Sequence, residues 1–157
     1  MRDDTLFRIL PLARKGYCCS QIILMLALET QGRENPELVR AAAGLCHGIG
    51  GAGHTCGALT GGVCLISLYG GKGADRETPD ERLPLMLESL AQWFADTALK
   101  DYTGSACPDI IGDAADASPP QPDPDICGRL IADTVDQCFA ILQDFGYDPT
   151  EAPDAGV

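Results

Sequence analysis

Eight cysteines in 157 residues are the side chains of this sequence best able to do chemistry. Four of them, Cys19, Cys56, Cys107 and Cys127, fall where the local sequence predicts a helix to begin. At a helix N-terminus the first N–H groups lack intrahelical partners and the dipole presents its positive end, so a thiolate there is expected to have a lowered pKa. Cysteines so placed suit two chemistries: ligation of iron or zinc, or a redox-active thiol pair. Buried cysteines also serve as small apolar packing residues, yet four helix starts together favour the functional reading.

The remaining cysteines divide differently. Cys64 and Cys138 lie on apolar helix faces and are expected to pack in the core. Cys18 adjoins Cys19 and is expected to point to another side of their helix. Cys46, His54 and Cys56 form a weaker candidate set for zinc. No Cys-x-x-Cys occurs, which excludes a zinc ribbon, a thioredoxin-type motif and covalent haem attachment; the ferredoxin spacings are absent too. Gly48-Ile49-Gly50-Gly51-Ala52-Gly53 fits G-x-G-x-x-G, but no strand precedes it and no βαβ unit surrounds it, so a dinucleotide site is rejected. No spacing calls for a Ser/His/Asp triad or a carboxylate pair.

The elements that must position these sulfurs are helical. Gly44 to Gly71 is the centre of the pattern: a glycine-rich loop holding Cys46, both histidines and Cys56 leads into a segment from about Thr55 to Tyr69 that is apolar nearly all round, as a buried helix is. Before it, Thr5 to Lys15 reads as a short helix in which Pro11 marks a kink or an early end. Tyr17 to about Thr30 reads as a buried helix, and Asn35-Pro36-Glu37 as the capped start of another. After it, Thr78-Pro79-Asp80-Glu81 has capping-box spacing ahead of Leu83, Leu87, Leu90 and Phe94, with Pro84 expected to bend that helix. Cys107-Pro108 opens a short helix. Residues 113–125 read as a Pro/Asp-rich surface loop, and Asp123-Pro124 starts a last helix with a seam of Ile131, Thr134, Cys138, Ile141 and Phe145. The expectation is an all-α, single-domain bundle of about six helices spanning residues 1–146, with 147–157 a mobile tail.

Composition narrows the partners. A net charge of −12 argues against nucleic acid, whose binding needs clustered Lys and Arg. The longest apolar run, Ile22 to Leu28, is far short of the roughly 20 residues that span a membrane. Asp3 and Asp4 before that run and Glu29 after it do not fit a signal peptide, so a cytoplasmic location is expected. In that compartment eight cysteines point to metal or redox chemistry rather than to structural disulfides.

Gly16-Tyr17-Cys18-Cys19-Ser20-Gln21, Gly53-His54-Thr55-Cys56-Gly57-Ala58-Leu59-Thr60-Gly61-Gly62, Cys107 and Cys127 together resemble the C_GCAxxG_C_C family of redox-active proteins, from about Leu6 to Phe145. The motif here reads Thr-Cys-Gly-Ala-Leu-Thr-Gly rather than a literal Gly-Cys-Ala-x-x-Gly, and Cys18, Cys46, Cys64 and Cys138 are additional to it. The resemblance implies four separated cysteines acting together, which map onto Cys19, Cys56, Cys107 and Cys127. A similar domain occurs in split-Soret cytochrome c beside an iron–sulfur centre. The resemblance therefore implies an iron–sulfur cluster, 2Fe-2S or 4Fe-4S, in an electron-transfer protein or oxidoreductase component with a separate redox partner protein. A homodimer with the cluster near the subunit contact is compatible with it. The alternatives are a metal-free dithiol–disulfide protein and a structural zinc domain.

Overall fold

The computed structural model describes residues 2–117 and 123–153. Seven α-helices form one bundle among the described residues: α1 (Arg2–Arg14), α2 (Cys19–Thr30), α3 (Pro36–Ala42), α4 (Gly57–Gly70), α5 (Leu83–Asp101), α6 (Cys107–Ile111) and α7 (Pro124–Asp144). Their only β-type pairing is an isolated antiparallel bridge between Thr55 and Ala106. The all-α expectation holds, with α4 as the buried central helix that packs on α2, α5 and α7.

The core follows from which faces are apolar. Ile22, Ile23, Leu26 and Ala27 of α2 meet Ala58, Leu65 and Ile66 of α4. Met86, Leu90, Phe94 and Ala98 of α5 close the far side at helical spacing, and all four are fully buried. Ile131, Thr134, Cys138 and Ile141 bury the seam expected of α7. Cys138 is a core residue, as its apolar surroundings suggest; its Sγ lies 3.7 Å from the Gly62 carbonyl. Cys64 is only half-buried.

Helix ends show where local signals held and where they misled. Asn35 caps α3 by accepting the Leu38 N–H at 3.0 Å, with Pro36 at the first position. Asp123 caps α7, accepting the Asp125 N–H at 2.8 Å. Helix α1 runs through Pro11 instead of ending there. Pro11 and Phe7 lie on the exposed face, so the Phe7 carbonyl that loses its partner faces water. The Thr78-Pro79 capping box does not form. Helix α5 begins at Leu83, because Pro84 lacks an N–H and fits where that group needs no intrahelical partner. Asp80 instead accepts the Arg82 N–H at 2.8 Å.

Two further expectations change. Gly112–Asp116 of the Pro/Asp-rich loop forms a 3-10 turn, while 118–122 lie outside the described residues. The segment expected to be a mobile tail is docked at its start. The Tyr147 hydroxyl donates to Asp80 Oδ2 at 2.6 Å, and Tyr69 donates to the Pro149 carbonyl at 2.7 Å. Arg82 pairs with Asp80 at 2.7 Å and lies 5.7 Å from the centroid of the Phe145 ring. With Arg82 the largest cause, these contacts hold the Asp80 carboxyl far below its ordinary range. No helix among the described residues is long and apolar enough to cross a membrane.

Helices α2 and α4 approach so closely that a side chain between them has no room. A Cβ at Gly61 would sit 2.9 Å from Ser20 Cα and 3.3 Å from Ile23 Cδ1. Alanine gains about 1 kcal/mol in helix propensity over glycine, but overpacking against a backbone atom costs about 1–3 kcal/mol, so overpacking wins. Gly61→Ala is expected to lower the denaturant midpoint. Gly128→Ala in α7, whose Cβ would meet only Leu6 Cδ2 at 3.6 Å, should leave it unchanged or raise it. An equal or higher midpoint for Gly61→Ala would contradict this packing.

Candidate functional site

The four helix-start cysteines converge. Cys19 is the first residue of α2, Cys56 the N-cap of α4, Cys107 the first residue of α6, and Cys127 lies in the first turn of α7. All four line one cavity of about 310 Å3 between those helices and α1.

Each sulfur is placed by a specific local device. The Thr55–Ala106 bridge binds the Cys56 segment to the Cys107 segment: Cys56 N–H donates to the Ser105 carbonyl at 3.1 Å, and Cys107 N–H to the His54 carbonyl at 2.9 Å. Asp109 accepts the Ala106 N–H at 3.1 Å and so starts α6 at Cys107. Cys19 is set by Gln21, whose Oε1 accepts the Cys18 N–H at 3.2 Å while its Nε2 donates to the Val39 carbonyl at 3.2 Å. Gly57 leaves room for Cys19, since a Cβ there would fall on the Cys19 sulfur.

The glycine-rich loop turns through left-handed backbone, as its glycines allow, but the turn also takes in two residues that are not glycine. His47, Gly48, Ile49 and Gly50 have φ of 55°, 70°, 64° and 60°, a run of left-handed backbone. That conformation is unfavourable for His47 and more so for the β-branched Ile49, which makes this the strained part of the backbone. Gly48 is needed twice over: besides its φ, a Cβ there would meet the His54 backbone at 2.6 Å. The result turns His47 toward the cavity and its N–H toward the Cys19 sulfur.

The electrostatics reverse one expectation. Burial raises the thiol pKa of all four cysteines; Cys56 and Cys127 are pushed up to about 12. The helix-start amides do act in the expected direction. The N–H groups of Ser20, His47, Cys19 and Gly57 face the Cys19 sulfur, and those of Ala58 and Leu59 face Cys56. They are outweighed because the walls are apolar, with Ile9, Ile22, Ile110, Leu130 and Ile131 among them; at Cys56, Cys107 and Cys127 neighbouring cysteines raise the thiol pKa further. Among the described residues no Lys or Arg lines the cavity to offset a thiolate.

The other candidates fare differently. Cys46 does not join His54 and Cys56. It pairs with Cys18 at bonding distance, their Cα atoms 6.0 Å apart, a separation that suits a disulfide. His54 is exposed. Among the described residues no three Cys, His, Asp or Glu side chains close on a single metal ion. The Cys18–Cys46 pair was hidden from the sequence because 28 positions separate the two residues; the doublet Cys18-Cys19 was the available hint.

In metal-free protein the buried thiols hold their protons while unfolded thiols ionise near 9.0. A pKa raised by folding means that stability is intact below about pH 9 and falls as pH rises toward about 12. The denaturant midpoint of metal-free protein should therefore be lower at about pH 10 than at about pH 7, and Cys56→Ala should lessen the difference. A slope unchanged by that substitution would contradict the raised thiol.

Residues 17–141 match the family described as "Putative redox-active protein (C_GCAxxG_C_C)". No curated protein and no solved structure matches the chain.

Proposed function

The chain belongs to the C_GCAxxG_C_C family of redox-active proteins, and from that premise we propose that it is an electron-transfer protein binding an iron–sulfur cluster through Cys19, Cys56, Cys107 and Cys127. The observation that carries this reading is the shared apolar cavity, lined by Cys19, Cys56, Cys107 and Cys127 with Cys18 at its border, and with no Lys or Arg among the described residues of its wall. Nucleophilic redox cysteines sit in electropositive surroundings that lower their pKa. Here the thiols are raised instead. Four thiolates in such a place need positive charge from within the cavity, and metal ions supply it, deprotonating the thiols they bind.

The donor set fits such a group. The chain offers four thiols from four helix starts, with His47 beside them, around a space larger than one ion needs. When bound, the cluster supplies one-electron transfer. The residues of the chain do the rest. The backbone amides at Cys19 and Cys56 donate to ligand sulfurs, the kind of contact that tunes reduction potential. Ile9, Ile22 and Ile131 keep water from the sulfurs. A separate protein of the same compartment, in this reading the cytoplasm, exchanges the electron.

The metal-free dithiol reading has two observations in its favour: Cys18 and Cys46 lie at bonding distance, and the Thr55–Ala106 bridge makes Cys56 and Cys107 diagonal neighbours. Anaerobic reconstitution with iron and sulfide separates the two. The expected product is brown, with iron and sulfide in equal amounts. Serine at Cys19, Cys56, Cys107 or Cys127 should remove most of the bound iron, whereas Cys64→Ser should retain it. Colourless, iron-free protein in which Cys56 and Cys107 have oxidised to a disulfide would establish the dithiol reading instead.

A further inference from the structure

Cys18 and Cys46 stand outside the four-cysteine set, yet they flank it on both sides. Cys18 precedes Cys19 and borders the same cavity. Cys46 precedes His47, the first left-handed residue of the loop. A bond between their sulfurs therefore ties the start of α2 to the start of the strained turn. We infer that Cys18 and Cys46 form a reversible dithiol–disulfide couple, exchanging with a small-molecule or protein disulfide, that latches the left-handed turn 47–50 against Cys19.

The surroundings suit both oxidation states. Ser20 is fully buried, and its hydroxyl hydrogen goes to the Ala42 carbonyl at 2.8 Å. Its oxygen, 3.6 Å from Cys18 Sγ and 3.3 Å from Cys46 Sγ, is then free to accept S–H hydrogens from the reduced pair. Cys18 is half-buried and Cys46 is 7% exposed, so an incoming disulfide meets Cys18 first. The Cys18 thiolate attacks one sulfur of that disulfide, which breaks and releases one thiol. The Cys46 thiolate then attacks Cys18 Sγ of the mixed disulfide and releases the second thiol. Two electrons and two protons pass from the protein to the disulfide, and no metal takes part.

The latch acts on Cys19 through the turn. His47 N–H faces the Cys19 sulfur, and Gly57 backs it. Left-handed backbone at His47 and Ile49 persists only where its surroundings hold it. Reduction removes the covalent tether at Cys46, the residue before the turn, letting the turn relax and exposing Cys19.

Metal-free protein, equilibrated anaerobically with glutathione buffers and read by alkylation and peptide mass spectrometry, tests the couple without reference to the cluster. Cys18 and Cys46 should lose alkylation together as the buffer becomes oxidising, leaving an intramolecular disulfide, while Cys64 and Cys138 remain thiols. Pairing of Cys18 with Cys19, stable glutathione adducts at Cys18, or thiols at Cys18 and Cys46 in every buffer would overturn it. For the latch, iodoacetamide should modify Cys19 about tenfold faster in reduced than in oxidised wild-type protein, because the relaxed turn gives the reagent access to its sulfur. Cys18→Ser and Cys46→Ser should each match the reduced rate. Equal rates in the oxidised and reduced wild type, a comparison that needs no variant to fold, would overturn the latch. Loss of iron binding in the reconstitution above would leave both results standing.

Discussion

The approach of α4 to α2 is the constraint on which the molecule depends. It is close enough that the two helices meet backbone to backbone at Gly61 and Ser20, and backbone to sulfur at Gly57 and Cys19. Glycine on α4 makes that distance available, and the apolar residues around it, Ile23, Leu26, Leu65 and Ile66, make it favourable. With α2 and α4 so joined, their N-termini lie side by side, and the sulfurs of Cys19 and Cys56 face one cavity. The bridge at Thr55–Ala106 then carries Cys107 in from α6, and α7 brings Cys127 across the remaining opening.

Placing four thiols in an apolar cavity sets two effects against each other. Helix-start amides stabilise a thiolate, and desolvation destabilises it. Here desolvation is the largest effect at all four, and at Cys19 and Cys56 it outweighs the facing amides, which supply only partial charges. Sulfurs so placed are poor nucleophiles without a cation and good ligands with one. Cys18 and Cys46 are relieved differently, by bonding to each other, which removes both protons and leaves no charge behind. One corner of the fold thus holds two groups of cysteines whose chemistry differs with what surrounds them.

Much of this arrangement was legible locally. Asn35-Pro36 and Asp123-Pro124 marked helix starts because a short polar side chain and a proline act within one turn of themselves. The all-round apolar run after Cys56 marked the central helix for the same reason. Thr78-Pro79 misled because Pro84, five residues on, had the stronger claim to the first turn. Tyr147 and Pro149 read as tail because their partners, Asp80 and Tyr69, are more than sixty positions away. The left-handed turn at His47 and Ile49 was illegible, since neither residue type favours it and only tertiary contacts hold it.

By itself the sequence determined an all-helical chain with Cys19, Cys56, Cys107 and Cys127 each at a helix start, because helix starts are written in residues close to one another. Tertiary structure alone decided that these four starts face the same cavity, that its walls raise rather than lower the thiol pKa values, and that Cys46 belongs with Cys18. Each of those depends on which atoms from distant segments displace water around a sulfur. A reading of neighbouring residues supplies the donors at a helix end but not the solvent it has lost.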